Sequence, residues 1–360
     1  MELSDEQLDA IADLAETTGI KKGASQDGET VELPLSQAMY LDALAREDEG
    51  IRLERSPQFR SIVRDIRHPA DLDKVAGADL MIECSAEPSV LVGTEGRDAR
   101  FMVENNLVGA LNCFEWARER RAAVVFLSTS RVYPYGAINA KKYAETETRF
   151  VPAEESAGFG PQGISPDFPL DGARSLYGAT KLAGEIMLQE YSRQYGLPAL
   201  IDRCGVVAGP WQLGKVDQGV FTYWLANHHF GKPLKYIGFG GRGKQVRDLL
   251  HIDDLVRLVR AQADRIGEFR GEVFHAGGGT VANLSLRETT DLCREITGRE
   301  VPVAETEEER PADVVWYVTD NRRTTDVFGW APVRGARTIL KDTHDWLRGH
   351  EDAFRAVFGG

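Results

Sequence analysis

Short apolar runs alternate with longer helical patterns from Phe59 onward, and this alternation limits the possible folds more than any other feature of the chain. Residues 123–127 (AVVFL) form the clearest apolar run, and residues 177–195 carry a long helical pattern. Strands that alternate with helices usually pair in parallel, and the helices then cover both faces of the sheet. The sequence therefore predicts an α/β fold with a doubly wound, mostly parallel sheet.

The composition argues against several classes of function. No apolar run reaches membrane-spanning length, and the first residues lack the basic region and apolar core of a secretory signal, so we expect a cytoplasmic protein without a membrane partner. The formal net charge of -13 disfavours nucleic acid as a partner, although it permits a local basic pocket for a small anion. The four cysteines lie far apart without metal-ligand spacing, so the sequence predicts neither a metal site nor disulfides.

Three residues form a candidate catalytic group. Thr129 follows the apolar run of residues 123–127, at the carboxyl end of a strand, where open parallel sheets bind their ligands. In a helix, the four-residue step puts Tyr177 and Lys181 on one face, where the ammonium can favour the phenolate. Thr129 would hold a substrate oxygen, Tyr177 would exchange its proton, and Lys181 would tune Tyr177 and hold a cofactor ribose. The alternative is a half-buried tyrosine beside a solvated lysine, which the spacing alone also allows.

Residues 127–133 (LSTSRVY), taken together with residues 175–185 (SLYGATKLAGE), resemble the extended short-chain dehydrogenase/reductase family, in particular its nucleotide-sugar epimerases and dehydratases. The resemblance extends over residues 59–347. It implies a Rossmann-like cofactor domain, a smaller C-terminal α/β substrate lobe, and NAD as the cofactor. The small-molecule partner would be a nucleotide-diphosphate sugar.

The resemblance also assigns residues that bind the cofactor. Besides Tyr177 and Lys181, the matching positions are Asp65, Ile66, Ser85, Ala86 and Asn106. Asp65 matches the aspartate that contacts the adenine part of NAD, and Asn106 lies on the asparagine-containing helix that braces the active site. Considered alone, Asn106 would more often be a residue of a helix surface.

Further segments resemble those that grip the nucleotide diphosphate in this family. They supply the expected substrate-binding residues, which are Gln212, Lys244, Arg247 and Arg310. Two phosphates require cations, and arginine can bind them through paired donors. Taken singly, Arg247 or Arg310 would be a solvated surface charge.

Local details narrow the implied activity. Residues 143–149 and 277–280 look most like the corresponding parts of the CDP-paratose 2-epimerases, also called CDP-tyvelose epimerases. This implies that NAD transiently oxidises C2 of a CDP-sugar. The family's dehydratases usually carry an Asp-Glu pair directly after the threonine, whereas Ser130 and Arg131 stand there in this chain, which argues against dehydration. Two alternatives stay open, namely a C4 epimerase of the same family and a non-catalytic sugar-nucleotide-binding protein that has lost NAD.

The family's glycine-rich loop is missing from the sequence. In the family, its Gly-x-x-Gly-x-x-Gly spacing lets backbone amides approach the pyrophosphate of NAD, but residues 19–23 (GIKKG) lack the preceding strand and the third glycine. NAD binding is therefore modified, lost, or completed by another chain, so catalytic competence is an open question. We expect an atypical segment at residues 1–58, a Rossmann-like domain at 59–208 with returning strands from 245–280, a mainly substrate-binding lobe at 209–350, and a homo-oligomer.

Three further features have competing interpretations. Residues 136–174 form a polar region that is too long for a mere connector, which predicts an active-site wall. His228 and His229 are neighbours that point apart on a helix, so a structural role is favoured over metal binding. The aromatic residues that either stack on a nucleotide base or pack within the lobe are Trp211, Tyr223 and Trp224.

Overall fold

The computed structural model describes residues 62, 64–91, 98–212 and 219–358. One compact unit spans Arg64–Arg348, and the described residues after it belong to a second unit. The predicted atypical segment at residues 1–58, including residues 19–23 (GIKKG) with their incomplete glycine spacing, lies outside the described residues.

The helices of the described residues are numbered in chain order. They are α1 (Pro69–Leu72), α2 (Ala99–Val103), α3 (Gly109–Arg120), α4 (Tyr135–Asn139), α5 (Leu176–Tyr195), α6 (Val220–Phe230), α7 (Ile252–Ala263), α8 (Leu286–Thr297), α9 (Arg322–Phe328), α10 (Ala336–Gly349) and α11 (Glu351–Phe358). A π-helical turn, Glu104–Val108, joins α2 to α3, and short 3₁₀ turns lie at Ser130–Val132, Phe239–Gly241 and Ile266–Glu268. No described helix is both long and apolar enough to cross a membrane.

The strands of the same part of the chain are numbered likewise. They are β1 (Leu80–Glu83), β2 (Ala123–Thr129), β3 (Tyr143–Glu145), β4 (Phe150–Pro152), β5 (Phe159–Gly160), β6 (Gly163–Ile164), β7 (Ala199–Cys204), β8 (Val206–Ala208), β9 (Leu234–Tyr236), β10 (Val246–His251), β11 (Arg270–Ala276), β12 (Asn283–Ser285), β13 (Val303–Glu305) and β14 (Trp316–Tyr317).

The main sheet is parallel, as the sequence predicts. Its described strands lie in the order β1-β2-β7-β11, and every neighbouring pair runs in the same direction. Because consecutive strands of such a sheet need crossover connections, α3 leads into β2 and α5 leads into β7. The prediction of an α/β fold with a mostly parallel sheet is confirmed.

Side chains of the central strands alternate between two cores. On β2, Val124 and Phe126 join one cluster with Phe114 of α3 and Leu188 of α5, whereas Val125 faces the opposite cluster. Strand β7 repeats this alternation with Ile201 and Leu200, because successive residues of a strand point to opposite faces. The second cluster includes Phe274 of β11 and is covered by the partly buried Phe328 of α9. Both faces of the sheet are therefore covered.

The strands predicted to return from residues 245–280 divide between two sheets. Strand β11 pairs in parallel with β7 and completes the described edge of the main sheet. Strand β10 instead pairs with β8, β12 and β14, so the prediction that it also returns to the main sheet is wrong. Strand β8 begins only two residues after β7 ends, and it already belongs to this separate sheet. The proposed domain boundary at residues 208 and 209 stays a prediction.

Helix α5, which carries the Tyr-Lys pair, is fixed to the sheet by a buried ion pair. The Arg203 guanidinium of β7 donates through Nε and Nη2 to Glu185 of α5 at 3.1 and 2.7 Å. Arg203 Nη1 also donates to the Tyr133 hydroxyl at 2.9 Å, and that hydroxyl lies 2.6 Å from His275 Nε2. This pairing satisfies polar groups on both partners, so breaking it would leave an uncompensated buried charge.

The start of α5 approaches the end of β2 closely. Ser175 caps the helix by accepting a hydrogen bond from the Gly178 N–H at 3.2 Å. A Cβ atom on Gly178 would collide with the backbone carbonyl oxygen of Arg131, in the turn that follows β2. Gly178 therefore permits an approach of two backbones that no other residue allows.

We predict that Gly178→Ala destabilises the protein, although alanine is normally the better helix former. Overpacking against a fixed backbone typically costs about 1–3 kcal/mol, which exceeds the helix-propensity gain of about 1 kcal/mol. Gly136→Ala is the matched control, because Gly136 lies in α4 with open space around its Cβ position. Urea unfolding should show a loss for Gly178→Ala and no loss for Gly136→Ala; equal stabilities would refute the close approach.

A buried carboxyl group on β7 predicts a pH dependence of stability. Burial raises the pKa of Asp202 to about 7, and Asp202 Oδ1 accepts a hydrogen bond from Gln262 Nε2 at 2.8 Å. Asp202 Oδ2 and Gln262 Oε1 have no hydrogen-bond partner among the described residues. The pKa of Asp202 is thus higher in the folded protein than the value of about 3.9 for an aspartate in the unfolded chain. Between these two pKa values the folded protein binds more protons, so the free energy of unfolding falls as the pH rises from about 4 to about 7.

We predict that Asp202→Asn is more stable than the wild type at about pH 8, by a few kcal/mol at most, and that this advantage shrinks toward about pH 5. Urea unfolding across this pH range measures the difference. Asp79→Asn, at an exposed position, serves as the control and should change little with pH. If the stability advantage of Asp202→Asn stays constant with pH, the raised pKa of the buried Asp202 carboxyl is contradicted.

Candidate functional site

A large pocket opens at the carboxyl ends of β1, β2 and β7, where parallel sheets bind ligands. Its volume is about 520 Å³, and its walls come from the unit of residues 64–348. The predicted residues that line it are Ala86, Thr129, Tyr177, Lys181, Gln212, Arg247 and Arg310. Residues far apart in sequence thus converge on one cavity.

Thr129 and Tyr177 meet at the base of this pocket. Thr129 is the last residue of β2, and its Oγ1 accepts a hydrogen bond from the Arg131 N–H at 3.2 Å. Burial raises the pKa of Tyr177 to about 12, against the lowering effects of a hydrogen bond with the Thr129 side chain and of the Arg131 charge. The phenol of Tyr177 is therefore neutral at physiological pH in this structure.

Lys181 lies one helical turn after Tyr177 on α5, as the spacing predicts. Its side chain is only 2% exposed, so the alternative of a solvated lysine is wrong. The ammonium donates to Glu83 Oε2 of β1 at 3.5 Å and lies 4.0 Å from the centre of the Phe126 ring. In this structure the ammonium is thus engaged with a carboxylate of the sheet, an interaction that the sequence analysis did not anticipate.

Another side of the pocket carries a cluster of three arginines, Arg131, Arg247 and Arg310, around the Asp313 carboxylate. Arg247 Nη2 donates to Asp313 Oδ1 at 2.5 Å, and Arg131 Nη2 lies 3.8 Å from the same oxygen. Burial and the Arg247 charge lower the pKa of Arg131 to about 10. Burial would raise the pKa of Asp313, but the neighbouring arginines hold it below its usual range. Because Asp313 is the one carboxylate among the described lining residues and three arginines lie near it, this side of the pocket is suited to an anion.

Two of the expected substrate-binding residues lie in different surroundings. Gln212 lines the pocket, where its side chain donates to the Val207 carbonyl at 2.5 Å and accepts from the Thr222 hydroxyl at 2.7 Å. Lys244 does not line it, because its ammonium donates to Glu145 Oε1 at 2.9 Å and to the Thr146 carbonyl at 2.6 Å. The role predicted for Lys244 therefore needs a rearrangement that the role of Gln212 does not.

The two residues expected at the adenine end do not line the described pocket. Asp65 accepts from the Arg67 side chain at 2.6 Å and from its N–H at 2.9 Å, and the first of these bonds is the main reason why the pKa of Asp65 is lowered. Ile66 packs against the core around α3, and its carbonyl accepts from Asn112 at 2.8 Å. Contact of Asp65 and Ile66 with a cofactor stays a prediction.

Asn106 braces the pocket from behind. It lies in the π-helical turn between α2 and α3, is 1% exposed, and exchanges two hydrogen bonds with the backbone of Glu87 at 2.7 and 2.9 Å. Its amide also reaches Thr180 Oγ1 of α5 at 3.4 Å. The surface role that is common for a lone helical asparagine is therefore wrong. Asn106 joins the loop after β1 to α5, and π-helical turns are frequent at functional sites.

The loop after β1 contains the remaining predicted pair. Ala86 lines the pocket, whereas the exposed Ser85 does not. Ser85 instead donates its N–H to Glu83 Oε1 at 2.9 Å, and its hydroxyl donates to the same oxygen. Ser85 therefore acts on the residue that holds Lys181.

The polar region of residues 136–174 does not form a wall of the large pocket, and that prediction is wrong for this structure. Its hairpins pack apolar side chains, including Phe159 and Phe168, against Trp316 and Tyr317. The region is long because it builds a buried aromatic cluster, and the polar residues between its apolar ones made this cluster hard to recognise in the sequence. The region supports the turn after β2 from outside the cavity.

The remaining aromatic and histidine residues lie either in the pocket lining or in packing contacts of their own. Tyr223 and Trp224 line the pocket, whereas Trp211 packs against Trp346 with ring centres 5.4 Å apart. His228 Nδ1 lies 2.8 Å from the Trp224 carbonyl oxygen, and His229 Nδ1 lies 3.1 Å from His344 Nε2. The two neighbouring histidines therefore serve separate packing interactions.

Sequence reasoning missed Glu83 and Asp313 as parts of the site. Glu83 had a detectable signal, because an acidic residue ends the otherwise apolar run of residues 80–82 (LMI). Asp313 lies three residues after the predicted Arg310, in residues 310–313 (RPAD), but its partner Arg131 is distant in sequence, so no local pattern joins them. Both residues act on cations that the sequence analysis did identify.

Fold and site together define an α/β protein with a ligand crevice at the carboxyl edge of a parallel sheet. The chain belongs to the NAD dependent epimerase/dehydratase family, whose model matches residues 35–277. Members of this family use NAD, so the resemblance seen in the sequence is confirmed at family level.

Individual relatives include enzymes of several activities. The chain is 28% identical over 302 residues to the CDP-paratose 2-epimerase of Salmonella typhi, covering 80% of this chain and 84% of that protein. It is 25% identical over 328 residues to the dTDP-glucose 4,6-dehydratase of Neisseria meningitidis serogroup B, covering 85% and 83%. A solved UDP-glucuronic acid 4-epimerase from Bacillus cereus, in complex with UDP-glucuronic acid and NAD, matches with a TM-score of 0.66 and 22% identity over 83% and 84% of the two chains. That structural likeness supports the fold.

We predict that the arginine cluster binds inorganic pyrophosphate and that Arg247→Met weakens this binding about 10- to 100-fold, the effect of losing one or two charge-assisted hydrogen bonds. Arg242→Met is the matched control, since Arg242 is a half-exposed arginine paired with Glu145 outside the pocket lining. Isothermal titration at two salt concentrations measures both variants. Equal losses for Arg242→Met and Arg247→Met would show that only overall charge matters.

Proposed function

We propose that this chain is an NAD-dependent nucleotide-sugar epimerase that inverts C2 of a CDP-sugar, as in the conversion of CDP-paratose to CDP-tyvelose. The observation that carries the proposal is the convergence of Thr129, Tyr177 and Lys181 on one pocket that also contains the arginine cluster. A proton-transfer group beside an anion site suits a substrate whose sugar reacts while its diphosphate is held.

The described part of the pocket fits the reactive end of NAD. Ala86 and Pro88 give it a wall of small side chains after β1, and Tyr177 and Lys181 also line it. When bound, NAD supplies a reversible hydride acceptor. Other family members cradle the pyrophosphate of NAD with a glycine-rich loop near the start of the chain, and the corresponding positions here fall outside the described residues. The proposal therefore rests on the end of the pocket that holds Tyr177 and Lys181.

The chain's own residues would handle the proton and the phosphates. Tyr177 would take the proton from the sugar hydroxyl and later return it, while Thr129 would hold the same oxygen through a hydrogen bond. The first of these tasks requires the phenolate, so the cations of Lys181 and Arg131 would have to lower the pKa of Tyr177 when the site fills. Arg247 and Arg310 would hold the diphosphate.

The pocket is poorly suited to eliminating water from the sugar. Elimination needs a proton donor and a proton acceptor near the sugar carbons, which the family's dehydratases usually supply as an Asp-Glu pair after the threonine. Among the described residues that line the pocket, Asp313 is the only carboxylate, and arginines surround it. Arg131 stands in place of the second acid, which favours epimerisation over dehydration.

The choice of C2 and of a CDP-sugar is supported by the likeness to the CDP-paratose 2-epimerase over most of both chains. A likeness of 30% over 224 residues to a probable UDP-glucuronate 4-epimerase of Rhizobium meliloti covers 61% of this chain, and it makes C4 epimerisation the second candidate. Thr129, Tyr177 and Lys181 would serve epimerisation at either carbon, so the experiments below distinguish C2 from C4.

We predict that denaturing the purified protein releases NAD, detected by mass spectrometry. If no NAD is released, titration with NAD tests whether the empty protein binds it. A protein that neither carries nor binds NAD would refute the proposed enzyme and favour a non-catalytic sugar-nucleotide-binding protein.

We further predict that the protein converts CDP-paratose to its C2 epimer, followed by NMR, and that Tyr177→Phe lowers kcat at least about 100-fold because proton transfer is lost. Tyr195→Phe is the matched control, since Tyr195 ends the same helix and is 60% exposed. Conversion of UDP-glucuronate with no reaction of CDP-paratose would assign the chain to the C4 epimerases instead.

A further inference from the structure

The Lys181 ammonium is buried against one carboxylate. Lys181 and Glu83 each expose only 2% of their side chains, and Lys181 Nζ lies 3.5 Å from Glu83 Oε2. Among the described residues, Glu83 is the carboxylate within ion-pair distance of this ammonium. A charged lysine at such depth needs a partner, because desolvation alone would drive off its proton.

Glu83 is held in place from its other side. It ends β1, and its Oε1 accepts hydrogen bonds from both the N–H and the hydroxyl of Ser85. Oε2 is thereby left for Lys181. The carboxylate thus joins the end of a sheet strand to the helix that carries Tyr177, with separate oxygens for its two partners.

The other groups around the ammonium do not replace this partner. The Phe126 ring of β2 lies beneath it, and a ring quadrupole gives a weaker attraction than a carboxylate. Its charge influences two buried thiols, Cys113 on α3 and Cys204 on β7, and burial raises the pKa of each, so they stay neutral. It also influences Cys84 after β1, which is exposed and lines the pocket; partial desolvation of this thiol and the Glu83 charge raise its pKa. On its own helix, the Tyr177 phenol is also neutral.

We propose that Glu83 is a positioning residue for Lys181, whose carboxylate balances the charge of the buried ammonium and fixes it at the carboxyl edge of the sheet beside Tyr177. The significance of this for catalysis rests on the proposed function, in which Lys181 tunes Tyr177. The ion pair itself is independent of the proposed function. Stability can therefore test the pair even if the enzyme activity is never found.

Glu83→Gln keeps the shape and the acceptor for Ser85 but removes the charge. Lys181 should then lose its proton in the folded protein, while the unfolded chain keeps a lysine pKa of about 10.4. The unfolded state binds more protons between these two pKa values, so the stability of Glu83→Gln should rise with pH across that range. Its deficit relative to wild type should be largest at about pH 7 and smaller at about pH 9.5.

Glu83→Asp and Glu83→Gln/Lys181→Met are the matched controls, compared by urea unfolding at both pH values. Glu83→Asp keeps the charge, so any deficit should not vary with pH. The double variant removes both charges, so it should be more stable than Glu83→Gln at about pH 7 even if the single variant barely folds there. A Glu83→Gln deficit that is the same at both pH values, or a double variant no more stable than the single one, would overturn the proposal.

Activity supplies the second readout. In Glu83→Gln, the basic limb of the kcat/KM profile for the epimerisation should move down by at least about one pH unit, because Lys181 loses its charge within the assay range. Glu83→Asp should restore the wild-type profile. An unchanged profile in Glu83→Gln would overturn the role in catalysis. Absence of any activity in the wild type would count against the proposed function, while the unfolding measurements still decide the role of Glu83.

Discussion

The contact between Glu185 of α5 and Arg203 of β7 is the interaction on which the geometry of the pocket depends. Both side chains are almost fully buried, and the guanidinium binds the carboxylate through two nitrogens. Such a pair has a defined orientation as well as an attraction, so it fixes the rotation of α5 about its own axis. That rotation directs Tyr177 and Lys181 toward the carboxyl ends of β1 and β2. Loss of the pair would release the helix that carries both residues.

The charges of the pocket are segregated. The Lys181 ammonium is paired with the Glu83 carboxylate, and burial raises the pKa of Tyr177, so that its phenol is neutral. Among the described residues that line the pocket, three guanidinium groups lie near the Asp313 carboxylate, which is the one carboxylate of that lining. A substrate with a neutral sugar and an anionic diphosphate has the same segregation. If the proposed function holds, this segregation would orient such a substrate before any contact with the sugar is made.

The local pattern of the sequence predicted the elements well, because the parallel sheet and α5 depend on runs of neighbouring residues. It predicted the pairings less well. The contact of Arg131 with Asp313 and that of Lys181 with Glu83 join residues separated by 182 and 98 positions, and no hydrophobic period records them. Strand β10 was assigned to the wrong sheet for the same reason, since an apolar strand fits any partner that offers a matching edge. The end of the apolar run and the four-residue spacing indicated Thr129, Tyr177 and Lys181, and the resemblance to a known family supplied Arg247 and Arg310, but neither led to Glu83.

The residues between Tyr177 and Lys181 have structural tasks of their own. Gly178 admits the backbone of Arg131, and the Thr180 hydroxyl donates to the Tyr177 carbonyl at 2.8 Å while it receives the Asn106 amide. The segment Tyr-Gly-Ala-Thr-Lys is thus a packing surface of the helix as well as a pair of candidate catalytic residues. A chain that kept the tyrosine and the lysine but placed a large residue after the tyrosine would hold both groups away from the strand. A search for the Tyr-Lys spacing alone therefore overlooks Gly178, the residue that decides whether the helix can pack against the turn after β2.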